Sequence, residues 1–131
     1  VIALTDDDDV VLVRQYRHGT DEVTLEIPGG NVDAGESARQ AAARELREET
    51  GYAADEWHHI GTVEPNPAFM GNRCDTLLAA GAERVGEANP DKHEEFEILS
   101  VPRPEFHAKI RDGEIRHALV VAAAYHLQDW E

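Results

Sequence analysis

The stretch RELREETG, residues 44 to 51, sets three glutamates and two arginines within eight positions and closes on a glycine. Carboxylates at that density, if turned the same way, can gather a hard divalent cation, which prefers oxygen ligands and keeps several of its waters. If turned outward, they make an ordinary charged surface.

The surrounding residues, SARQAAARELREET (37 to 50), are good helix formers throughout. Ser37 and Gln40 have the spacing of a capping box, and Gly51 stands where a C′ glycine closes a helix. At about 100° per residue, Glu45 and Glu49 fall within about 40° of one another, inside the stripe of Ala38, Ala42 and Leu46. Gln40, Arg44 and Arg47 fall on the opposite side. The two acids thus face the body of the protein, although like charges at i and i+4 cost an isolated helix roughly 0.2–0.5 kcal/mol before any desolvation. Arg44 can reach Glu48 at i+4 as a plain surface pair. Glu45 and Glu49 are left without a counter-charge, a natural half-shell for Mg²⁺. The wheel alone leaves a metal site and a decorated helix both open.

Stepping outward, VIALT (1 to 5) and VVLVRQYR (10 to 17) flank DDDD and predict a hairpin, and DEVTLEIP (21 to 28) alternates up to Pro28 as a third strand. GGNVDAGE is a loop before the helix. HHIGTVEP (58 to 65), RCDTLLAAGAER (73 to 84) and FEILSVP (96 to 102) predict strands, with NPAFMGN and GEANPDKHEE as loops. RPEFHAKIRDG and IRHALVVAAAYHLQ predict two closing helices. Strands around one early helix, with helices at the end, suggest an α/β sandwich on a mixed sheet, and 131 residues suit one domain.

From Gly30 to Tyr52 the chain reads Gly30, five residues, Glu36, seven residues, then Arg44-Glu45-Leu46-Arg47-Glu48-Glu49-Thr50-Gly51-Tyr52. This resembles the Nudix box, G-x5-E-x7-R-E-U-x-E-E-x-G-U with U aliphatic, departing only in the aromatic Tyr52. The resemblance implies an α/β/α sandwich with a mixed β-sheet and a loop-helix-loop catalytic motif. It also implies Mg²⁺- or Mn²⁺-dependent hydrolysis of a nucleoside diphosphate linked to another group. On that resemblance Glu45 and Glu49 are expected as metal ligands, Glu48 as a ligand or water-positioning group, and the Gly29 carbonyl as a further ligand. Arg44 is expected to orient the glutamates, and Glu36 to support the loop or a further metal. Such chemistry wants acids: divalent ions neutralise the diphosphate, acidify a bound water and align the attacking and leaving oxygens.

VRQYRHGTDEVTLEIPGG resembles the stretch leading into the box in the ADP-ribose and nucleotide-sugar pyrophosphatase branch, with Gly29 in place of the usual alanine. There the resemblance implies Arg14 or Arg17 on the diphosphate and Glu26 supporting substrate or metal, against the plain reading of a strand with outward arginines. EPNPAFMGNRCDTLLA is similar to the substrate loop of nucleotide-sugar relatives, so Phe69 or Met70 is expected in the base or sugar pocket or, equally, in the core. In that branch a glutamate on a late loop acts as base, which points to Glu94 in DKHEEFEI and next to Glu95. The implied reaction splits ADP-ribose or a related nucleoside diphosphate sugar into a nucleoside monophosphate and a sugar phosphate. The rival readings are a hydrolase of nucleoside triphosphates or dinucleoside polyphosphates, and a non-catalytic nucleotide-sugar-binding regulator.

Relatives in this branch build part of the pocket from an N-terminal strand region of a second subunit, so a homodimer is expected, with such a region upstream of Val1. No leader or apolar run of membrane-spanning length is visible, and the lone Cys74 excludes an internal disulfide and C-x-x-C patterns, which fits a reducing cytoplasm. Cys74 itself suits a small strand filler, and His58, His59, His93 and His107 have no metal-ligand spacing. A formal charge of −15 argues against sequence-independent nucleic-acid binding, which depends on Lys and Arg against phosphates. It leaves room for a small phosphorylated substrate met by cations and a few local arginines.

Overall fold

The computed structural model describes residues 1–90 and 97–130, so the expected bases Glu94 and Glu95, like His93, lie outside the described residues. In chain order the elements are β1 (Ile2–Leu4), β2 (Asp9–Arg17), β3 (Glu22–Glu26), α1 (Ala38–Thr50), β4 (Tyr52–Ala53) and β5 (Glu56–Val63). There follow β6 (Cys74–Ala80), β7 (Glu83–Arg84), β8 (Glu97–Pro102), α2 (Arg103–Arg111) and α3 (Ala118–Leu127).

The main sheet runs β3-β2-β1-β6-β5, with β8 also on β2. β1 and β6 are parallel and the other pairs antiparallel, so the sheet is mixed. Val10 is paired with both Leu4 of β1 and Val101 of β8, and Val13 with both Glu26 of β3 and Ile98 of β8. β1 and β3 therefore share one side of β2, end to end. Their junction is bridged by the Val1 nitrogen, which donates to the Pro28 carbonyl at 2.7 Å.

Strand side chains alternate between two layers, as period-two geometry requires. Ile2, Leu4, Val10, Leu12 and Leu78 pack with Phe106 of α2 and Val120, Ala123 and Leu127 of α3. Ala3, Val11 and Ala79 pack with Leu46 of α1. Helices thus cover both faces, the expected α/β/α sandwich. Each large side chain so buried contributes roughly 1.5–3 kcal/mol.

Two local readings are corrected. The run 73 to 84 is not one strand: it breaks at Gly81, whose φ of 66° is left-handed, and β7 leaves the main sheet to pair Arg84 with Tyr52 of the unanticipated β4. The last helix starts three residues into the predicted run IRHALVVAAAYHLQ, at Ala118, because the His117 ring caps it: Nδ1 accepts the Leu119 N–H at 3.1 Å.

Candidate active site

α1 has both expected ends. Ser37 and Gln40 form the reciprocal capping box, and Gly51 closes the helix at φ 75°. Arg44 ties the helix to the preceding loop. Its Nε and Nη2 donate to the two Glu36 oxygens at 3.0 and 2.8 Å, and Nη2 also donates to the Asn31 carbonyl at 3.1 Å. Nη1 donates to Glu45 Oε1 at 2.9 Å and to Glu48 Oε2 at 3.4 Å. The wheel put Arg44 opposite Glu45; its long side chain wraps back, so Glu45 has a counter-charge after all. The anticipated Arg44–Glu48 pair is the longest of these contacts.

Hydrogen bonds from Arg44, and then from the Asp33 N–H, pull the Glu36 carboxyl from its ordinary 4.5 to about 2. A depressed carboxylate contributes stability that is complete above its unfolded value and is lost as pH falls through the folded one. The melting-temperature gap between the parent and Glu36→Gln is therefore expected to be widest above about pH 5 and to close toward about pH 2. A gap that stays constant over that range contradicts this account of Arg44.

Glu49 is 5% exposed, and its Oε2 accepts the Gly29 N–H at 3.2 Å. With Glu45 and Gly29 it lines a cavity of about 550 Å³ over the β1–β3 junction. Ala38, Ala41 and Ala42 of α1 form part of its wall, and Leu119, Val120 and Ala123 approach from the helix layer across the sheet. Glu36 and Glu48 do not line it. Glu36 is held away by Arg44 and serves the loop. Among the described residues no three His, Cys, Asp or Glu side chains already converge as a metal cage. Glu45 and Glu49 offer carboxylate oxygens alone, the donor type that suits a hard divalent ion retaining several waters.

Gly30 explains how closely the loop lies on this pair. A Cβ there would stand 2.3 Å from Glu45 Oε1. The carboxylate ends a flexible side chain, so it can swing aside without disturbing the helix. Gly30→Ala is expected to lower kcat/KM by about a hundredfold, the scale of an ångström-sized misplacement, with a nearly unchanged melting temperature. Parental kinetics in that variant removes Glu45 from the chemistry.

On the far side of the cavity Glu26 is 3% exposed. Arg17 grips it with Nε at 2.7 Å and Nη2 at 2.8 Å, and the Thr24 hydroxyl donates to it at 2.7 Å. Because His117 Nδ1 accepts from the backbone, the neutral ring carries its proton on Nε2, which faces Glu26 Oε1 at 3.4 Å. Burial pushes the Glu26 carboxyl up, but the Arg17 and Thr24 hydrogen bonds, the Arg17 charge and the neighbouring His117 ring outweigh it and hold it below the usual range. Arg17 and Glu26, expected separately on the substrate, are thus partners of each other.

Three expected substrate contacts fall elsewhere. Arg14 points to Glu97, 3.8 Å away, and does not line the cavity. Phe69 and Met70 are 79% and 47% exposed, in neither the cavity nor the core. Their loop turns outward, with the Phe69 and Met70 N–H groups donating to the Asn66 carbonyl. It reaches the cavity instead through Asn72, Arg73, Cys74, Asp75 and Thr76. His117 and Arg73 were missed. The available signals were a histidine just before an apolar helical run and an arginine at the start of a strand.

The NUDIX domain model matches residues 1–123, nearly the whole chain. The chain belongs to the Nudix family. The ADP-ribose pyrophosphatase of Mycobacterium tuberculosis is 32% identical to it over 126 residues, covering 93% of this chain and 60% of the relative. That of Bacillus subtilis is 30% identical over 129 residues, covering 98% and 70%. The methanol dehydrogenase activator of Bacillus methanolicus is also 30% identical, with the same coverage. A solved ADP compounds hydrolase superposes with a TM-score of 0.88 at 25% identity, covering 98% of this chain and 69% of that one. The chain spans 60% to 70% of the length of these three sequence relatives. Among the described residues no helix is long and apolar enough to cross a membrane.

Proposed function

We propose that this Nudix protein is a divalent-metal-dependent pyrophosphohydrolase acting on ADP-ribose or a related nucleoside diphosphate sugar. The observation that carries the reading is the placement of Glu45 and Glu49, one helical turn apart, on one cavity. The relatives named for ADP-ribose hydrolysis support the substrate class.

Glu45 and Glu49 would hold Mg²⁺ or Mn²⁺, which when bound supplies charge neutralisation of the diphosphate and acidification of a water. Gly29 remains a candidate further ligand through its carbonyl. The chain's own groups set the geometry. Arg44 fixes Glu45, and the Gly29 N–H fixes Glu49. Ala38, Ala41, Ala42 and Val120 line the cavity beside the acids, and the burial of Glu49 strengthens the charge interactions it makes. Glu48, half-exposed beside Arg44, would position the incoming water, and Glu94 would take its proton, with Glu95 as the alternative base. The water oxygen bonds to one phosphorus as the bridging oxygen leaves, giving nucleoside monophosphate and sugar phosphate. The resemblance to the pyrophosphatase branch extends the proposal to a cytoplasmic homodimer.

A nucleotide panel with Mg²⁺, read by product analysis, tests this. AMP and ribose 5-phosphate from ADP-ribose, lost on chelation with EDTA, is the expected result. Pyrophosphate released from nucleoside triphosphates, with nucleotide sugars untouched, rejects it in favour of the triphosphate reading.

A further inference from the structure

The diphosphate brings negative charge into a chain of net charge −15, and beyond any metal it needs a cation of the protein's own. The cavity-lining arginines among the described residues are Arg17 and Arg73. Arg17 is engaged with Glu26 through two charge-assisted hydrogen bonds. Withdrawing it to meet a phosphate would leave an almost fully buried carboxylate without its main counter-ion, which is strongly unfavourable.

Arg73 is in the opposite position. Its backbone is anchored, since the next residue, Cys74, opens β6 and pairs with Val63 of β5. Its side chain is 72% exposed, and its ion-pair partner among the described residues is Glu64, 3.9 Å away and beyond hydrogen-bond reach. The neighbouring carboxylate, Asp75, feels the Arg73 charge as the smallest of the influences on it, behind its Thr62 and His59 partners. Asp75 Oδ1 accepts from the Thr62 hydroxyl at 2.7 Å and is 3.0 Å from His59 Nε2, which directs it to the β5 side. The guanidinium therefore stands on the solvent side of the cavity with no hydrogen bond from its planar fork of donors among the described residues, the arrangement that matches two phosphate oxygens at once.

We propose that Arg73 is the specificity-determining cation of this site, receiving the substrate's diphosphate where Arg14 and Arg17 do not. The inference rests on the hydrolase reading for its substrate class. It makes the β5–β6 connection an electrostatic reader of the phosphoanhydride rather than an apolar base or sugar contact carried by Phe69 and Met70.

The test compares the parent, Arg73→Ala and Arg73→Lys with Mg²⁺. ADP-ribose kinetics are run over a salt series, and α,β-methylene-ADP binding is measured by calorimetry. Arg73→Ala is expected to raise KM about tenfold, with a much smaller fall in kcat and a flatter dependence of KM on salt. Arg73→Lys should recover the salt dependence and part of the KM, because it keeps the charge but not the fork. Melting temperatures should coincide, since the side chain is exposed and makes no hydrogen bond among the described residues. An unchanged KM in Arg73→Ala overturns the proposal, as does a fall confined to kcat. Binding separates the two levels. If the parent binds α,β-methylene-ADP about tenfold more tightly than Arg73→Ala yet turns over no nucleotide sugar, Arg73 keeps its role and the hydrolase reading fails. Equal affinity, or no binding by the parent, removes Arg73 from any diphosphate site.

Discussion

Glu49→Gln is expected to lower kcat/KM for ADP-ribose by at least about a thousandfold, about 4 kcal/mol of transition-state stabilisation, while the protein stays folded. The substitution keeps the size of the side chain and an oxygen able to accept the Gly29 N–H, now at 3.2 Å from Glu49 Oε2. What it removes is the negative charge, from a group only 5% exposed that faces the cavity beside Glu45. A neutral amide is a poor ligand for a hard cation, so Mg²⁺ affinity should fall with turnover. Steady-state kinetics over a Mg²⁺ titration, with circular dichroism to confirm folding, makes the comparison. If the variant matches the parent at every Mg²⁺ concentration, the carboxylate pair is structural and the proposed chemistry must be sought elsewhere.

Gly51→Ala should be the most damaging single-methyl change to stability. The residue sits at φ 75°, where an L side chain is strained, and its missing Cβ is what admits a neighbouring segment. A Cβ there would lie 2.2 Å from the Gly86 carbonyl oxygen, a backbone atom that cannot rotate away. The position is also fixed from both sides: the Gly51 N–H donates to the Arg47 carbonyl and the Gly51 carbonyl accepts from Val85, each at 2.9 Å. Left-handed strain of about 1–2 kcal/mol and crowding of about 1–3 kcal/mol together give about 2–5 kcal/mol, readable as a lower urea midpoint. A loss below about 1 kcal/mol would mean that the 86–87 segment yields freely, contrary to its bonds with α1.

The two variants differ in what the sequence alone could say about them. Gly51 as a helix stop, the Ser37–Gln40 cap and the inward aspect of Glu45 and Glu49 all follow from local spacing, because a helix fixes side-chain direction within a turn. Arg44 shows the limit of that logic. The wheel gives the direction of Cβ, but four more rotatable bonds carry the guanidinium around to Glu36 and Glu45, and only the returning loop determines where it ends. Arg17 and Glu26 were legible as site residues yet not as a pair, since their contact depends on the β2–β3 register. The 73–84 run looked like one strand because its apolar pattern continues across Gly81; the departure of β7 depends on a partner, β4, too short to have a pattern. Phe69 and Met70 attracted attention by residue type. Exposure is decided by the turn at Asn66, and the polar neighbours nearer β6 are the ones that reach the cavity.

The tethers between α1 and the chain after β7 have a further consequence. Arg47 Nη1 donates to the Glu87 carbonyl at 3.1 Å, the Asn89 N–H donates to the Glu48 carbonyl at 2.7 Å, and β8 resumes the main sheet at Glu97. The described chain on either side of residues 91–96 is thus held through its own backbone, at Glu87 and Asn89 before and at Glu97 after, whatever side chains stand there. Residues 87 and 89 can therefore change type, proline at 89 apart, without loosening the hold on the last turn of α1, because the bonds run through backbone groups.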